Sequence, residues 1–82
     1  MAMKSKDDKK GKLLLSMLKS AYAAWDTGAF RKNAEYDAVA QTVMDAAERL
    51  HDEKAISAYY YNRLHDEQSA NVMAVHDIPD LG

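Results

Sequence analysis

The apolar positions of this 82-residue chain support helix and no other regular structure. Leu14, Leu18, Ala21, Tyr22 and Trp25 fall on one stripe at helical spacing, widened at its start by Leu15 and Met17, and predict a first helix over Lys12–Trp25. Asp26-Thr27-Gly28 stops it, with Gly28 free to take the positive φ of a C-terminal cap. The second helix has the clearest pattern. Asn33 is placed to cap it, Glu35 and Asp37 set negative charge against its positive end, and Tyr36, Val39, Ala40, Val43, Ala47 and Leu50 keep the i, i+3, i+4, i+7 rhythm. Its other face carries Gln41, Asp45, Glu48 and Asp52.

A change of phase signals the third helix. Extending the second stripe past Leu50 turns Lys54 and Ser57 inward, whereas Ile56, Tyr59, Tyr60 and Leu64 define a new stripe, so the axis breaks near His51–Lys54. The third helix is predicted over Ala55–Gln68. Val72, Met73, Val75 and Ile78 suggest a short fourth helix capped by Ser69 or Asn71 and ended by Pro79, because the residue before a proline is pushed out of helical geometry. The expected fold is an all-α, antiparallel three- to four-helix bundle forming a single domain. Residues 1–11 are a flexible basic arm and residues 79–82 a loose end. Its predicted core is Leu14, Leu18, Tyr22, Trp25, Tyr36, Val39, Val43, Leu50, Ile56, Tyr60 and Leu64.

Charge changes this picture at one end. Residues 1–12 hold five lysines against Asp7 and Asp8, while the rest of the chain is acidic and brings the net charge to −2. An acidic body is a poor surface for nucleic-acid phosphates, so no nucleic-acid partner is expected. The basic arm reads as a solvated tail, with peripheral contact to anionic lipid or an acidic protein as the functional reading. No apolar run approaches the ~20 residues that span a bilayer, or the length of a signal-peptide core, which points to a cytoplasmic protein. The absence of cysteine excludes disulfides and Cys-based metal sites.

Candidate chemistry is sparse. Arg49-Leu50-His51-Asp52-Glu53 recurs letter for letter as Arg63-Leu64-His65-Asp66-Glu67, and Val75-His76-Asp77 echoes its middle. The repeat reads either as a pair of metal or anion sites or, preferably, as two helix ends built alike. Glu48 and His51 make one Glu-x-x-His pair, but a di-iron bundle needs a second, and Asn62 stands where that second glutamate belongs before His65. No metal and no cofactor is therefore expected. Neither a Gly-x-Ser-x-Gly elbow nor a glycine-rich phosphate loop is present, and no nucleophile is matched to a histidine, so the chain reads as non-enzymatic.

What remains is binding. Three successive tyrosines cannot share one stripe, because neighbours are turned ~100° apart; Tyr59 and Tyr60 are expected inward and Tyr61 lateral or exposed. Tyrosine and arginine are favoured at protein interfaces. Tyr61, Arg63, His65, Val72 and Val75 are the candidate partner-binding residues, with a homodimer through Tyr59–Leu64 and Val72–Ile78 as one arrangement.

The layout resembles a known family. Asp7-Asp8-Lys9-Lys10 leads into an apolar helix. Asn33-Ala34-Glu35-Tyr36-Asp37 with Val43 and Leu50 forms the next, and Ile56-x-x-Tyr59-Tyr60-x-x-x-Leu64 the third. Over residues 7–68 this order is similar to the immunity proteins of class IIa (pediocin-like) bacteriocins, small cytoplasmic antiparallel helix bundles. The resemblance implies protection of a bacteriocin producer from its own peptide, by protein binding at the cytoplasmic side of the membrane sugar-transporter complex that the bacteriocin seizes. It also implies that the C-terminal half sets which bacteriocin is resisted. The family usually carries a longer fourth helix and tail than the stretch ending at Ile78-Pro79 supplies. A different class of reading is a small helical adaptor or regulator, plasmid- or phage-borne, that caps another protein or dimerises.

Overall fold

The three stripes become three helices packed on one another. A computed structural model describes residues 5–77, with α1 at Ser5–Asp26, α2 at Asn33–Asp52 and α3 at Ala58–Asp77. There is no strand among the described residues. Consecutive helices run antiparallel, as contacts at both ends of the α2–α3 pair require: the start of α2 meets the end of α3 through Asn33 and Val75, and the end of α2 meets the start of α3 through His51 and Tyr61.

Each turn has a local cause. Gly28 takes φ +89° after α1, and the Gly28 and Phe30 amides donate to the Trp25 and Ala24 carbonyls. α2 begins differently from expectation: Lys32 occupies the cap position, extended at φ −125° and ψ 148°. The Glu35 carboxylate reaches back to the Arg31 and Lys32 amides. Asn33 is instead a tie between helices. Its Oδ1 accepts from Trp25 Nε1 at 2.9 Å, and its Nδ2 donates to the Val75 carbonyl at 3.0 Å. The predicted phase break falls at Lys54, which takes the left-handed conformation at φ 60° although no glycine is present. Ser57 then caps α3, its hydroxyl accepting from the Tyr60 amide at 3.3 Å.

Two boundaries depart from the sequence reading. α1 starts at Ser5, so helix covers residues 5–11, which the pattern assigns to a flexible arm. The expected fourth helix is the second half of α3, which runs unbroken through Ser69–Asn71; among the described residues the bundle has three helices. The loose end at 79–82 and Pro79 lie outside the described residues.

Leu14, Leu15, Leu18 and Ala21 of α1, Tyr36, Ala40, Val43 and Ala47 of α2, Ile56 of the connection, and Leu64 and Val75 of α3 form the buried core. Of the predicted core, Tyr22, Trp25, Val39, Leu50 and Tyr60 are half-buried around it. Met17 is exposed, not part of the stripe's inner edge. Asn71 is the one polar residue in this interior among the described residues, and its Nδ2 has no hydrogen-bond partner. α1 and α3 approach closely where Gly11 faces Tyr60: a Cβ on Gly11 would lie 2.5 Å from the Tyr60 Cβ.

Candidate functional site

All three histidines lie along the seam between α2 and α3. At one end the Glu48 Oε2 accepts the Tyr61 hydroxyl at 2.8 Å and sits 3.2 Å from His65 Nε2. The His51 ring stacks on Tyr61 with centroids 3.9 Å apart, and His65 meets the same phenol edge-on at 4.7 Å. At the other end His76 Nε2 lies 2.9 Å from Asp37 Oδ1. Between them the Tyr36 hydroxyl donates to Gln68 Oε1 at 2.7 Å. Both histidine–carboxylate contacts are half-exposed, so each is worth less than about 1 kcal/mol.

The seam perturbs two phenols. The hydrogen bond to Glu48 raises Tyr61 above its ordinary value, with desolvation and the charges of Glu48 and Asp52 acting in the same direction. Burial raises Tyr36, opposed by the Asn71 side chain and reinforced by Asp37, Glu67 and Tyr22.

The candidate contact residues divide into three groups. Tyr61 and His65 are brought together on the seam, where Glu48 and His51 fix both rings. Arg63 points away from it, its Nη1 donating to the Tyr59 hydroxyl at 3.3 Å one turn back. Val72 is half-buried, while Val75 is fully buried and has no surface to offer a partner; it belongs to the core because α3 continues through it as a packed helix. Tyr59, expected inward, is 60% exposed, because α3 begins at Ala58 and its inner stripe passes through Leu64, Asn71 and Val75. Met73, which the pattern placed on the apolar stripe of a fourth helix, is 71% exposed.

The repeat has a different meaning from two similar helix ends. Its first copy closes α2, but its second lies inside α3. Antiparallel packing sets the two copies' histidines on either side of Tyr61. Glu48 and His51 were not among the candidate contact residues, and Tyr59 entered only through the candidate homodimer stretch. The i, i+4 spacing of Tyr59 and Arg63 was the available signal for one of them.

No serine or threonine hydroxyl is hydrogen-bonded to a histidine among the described residues, and no group of three His, Asp or Glu is placed to hold a metal ion. No described helix is long and apolar enough to cross a membrane. In comparisons with known proteins, no family model matches the chain, and no curated protein and no solved structure matches it significantly.

Proposed function

We propose that this chain is a non-catalytic binding protein of the bacteriocin-immunity type, acting on a protein complex at the cytoplasmic side of the membrane. The observation that carries the binding part is the outward face at the start of α3. An exposed tyrosine is hydrogen-bonded to an arginine one turn away, Tyr59 to Arg63, on a side of α3 turned away from the seam where Glu48 and His51 hold Tyr61 and His65. Tyrosine and arginine dominate protein–protein hot spots, and side chains already fixed lose little freedom on binding. The immunity part is supported by the helix order over residues 7–68 and by antiparallel helix packing, although the described residues hold three helices where the family usually carries a fourth. Expression in a bacteriocin-sensitive strain, followed by challenge with a panel of pediocin-like peptides, tests it. Survival against at least one peptide is the expected outcome. Unchanged killing by every peptide, with the protein present, contradicts it.

A second reading, a helical adaptor that pairs with a second copy, is favoured by Met73, exposed beside Val72 in the far half of α3. Sedimentation at tens of micromolar separates the two: a dimer that Met73→Ser dissociates supports the adaptor.

A further inference from the structure

We propose that the outward face of α1 docks on an anionic lipid bilayer. This goes beyond the reading of α3 and rests on a different surface. Charge in the chain is segregated. Residues 1–25 contain six lysines and only Asp7 and Asp8 as acids, and from Lys9 to Trp25 there is no acid at all. The remainder holds five basic and eleven acidic residues.

On this helix Leu13 and Met17, one turn apart, are 60% and 42% exposed. Lys9, Lys10, Lys12 and Lys19 are exposed around them. At ~100° per residue, Lys12 and Lys19 border one side of the outer arc, Lys10 the other, and Lys9 lies between. Along the Lys12–Lys19 border runs an open groove of about 380 Å³ between α1 and α3, with Leu15, Ala23 and Tyr60 among its walls.

An apolar stripe bounded by lysines is the pattern of a helix lying in the membrane interface, where the lysine stems join the apolar contact and the ammonium groups reach phosphates. A nucleic acid would gain nothing from Leu13 and Met17. The acidic remainder is repelled by an anionic surface and so turns α1 toward it. Each lysine near such a surface contributes roughly fivefold in partitioning, an effect that weakens as salt shortens the Debye length below ~10 Å.

Flotation of the full chain with vesicles tests this. The expected result is binding to equimolar phosphatidylglycerol and phosphatidylcholine, none to phosphatidylcholine alone, and release in high salt. Lys12→Gln/Lys19→Gln lowers partitioning roughly 25-fold, and Leu13→Ser/Met17→Ser lowers it as well. Lys32→Gln, at the start of α2, leaves it within twofold. Every substituted side chain is exposed, and unchanged circular dichroism verifies the fold. Tyr59→Ala/Arg63→Ala floats like the parent, so this proposal and the α3 reading fail separately. Absence of binding to the anionic vesicles overturns the proposal. So does binding indifferent to the α1 variants, or a dimer in solution that those variants dissociate, which would make a second copy the occupant.

Discussion

The imidazole of His51 stacks on the phenol of Tyr61, centroids 3.9 Å apart and ring planes within 14° of each other. The contact joins the last turn of α2 to the first turns of α3 and leaves the Tyr61 hydroxyl to Glu48. A carboxylate acceptor favours the neutral phenol, so Glu48→Gln brings the Tyr61 pKa down toward its ordinary value near 10. Titration of phenolate absorbance against a Tyr61→Phe control reads this directly. An unchanged Tyr61 would show that Glu48 is not its partner in solution.

The same shifts fix the sign of the alkaline response. Tyr61 and Tyr36 are both raised in the folded chain, so the stability they contribute is complete below about pH 10 and is lost as pH rises through the folded values. Urea midpoints measured across pH 8 to 11 should be level at first and then fall, with a shallower fall in Tyr36→Phe.

Gly11 is where α1 and α3 come closest. Alanine there would place its Cβ 2.5 Å from the Tyr60 Cβ, an atom fixed by the α3 backbone and unable to rotate away. Overpacking costs about 1–3 kcal/mol, against a helix-propensity gain of up to about 1 kcal/mol. Gly11→Ala is therefore expected to lower stability by up to about 2 kcal/mol in urea unfolding. A gain in stability would mean that the helices stand further apart.

Proline at position 70 distinguishes one long third helix from two short ones. If a fourth helix were capped by Ser69, Ala70 would be its first residue, where proline is well tolerated. Within a continuous α3 the ring removes a backbone hydrogen bond and clashes with the preceding turn, costing about 3 kcal/mol or more. Ala70→Pro should unfold the chain far more readily than Ala70→Gly, for which about 1 kcal/mol is expected.

The boundary between α2 and α3 was legible because a stripe changed phase there, and Lys54 turns the chain where that change falls. The continuity of α3 was hidden by its polar stretch from His65 to Asn71. Two of those residues face protein: Gln68 takes the Tyr36 hydroxyl across the bundle, and Asn71 is buried. A pattern that equates polar with outward reads such positions as a helix end, since pairing over 32 residues of sequence leaves no local trace. Asn33 was likewise read as a local cap when its amide holds Trp25 and Val75. Of the candidate site, Tyr61, Arg63 and His65 were named from residue type alone, and the structure leaves all three at least partly exposed. Tyr59 was misplaced because the start of α3 lies three residues later than expected.

Asn71 gives a further prediction. Its buried Nδ2 lacks a partner, and an unsatisfied buried donor costs about 1–3 kcal/mol. Asn71→Leu, close in volume, is expected to stabilise the chain by about 1 kcal/mol. Destabilisation would indicate that the amide is hydrogen-bonded in solution.

The most direct measurement is survival of a bacteriocin-sensitive strain expressing either the parent chain or the Tyr59→Ala/Arg63→Glu variant. Both substituted side chains lie outside the buried core, so protein levels should match. The account predicts that the parent protects against at least one pediocin-like peptide and that the variant loses at least tenfold of that protection. Equal protection by both would contradict the α3 face as the binding surface, and no protection by the parent against any peptide would contradict the immunity function itself.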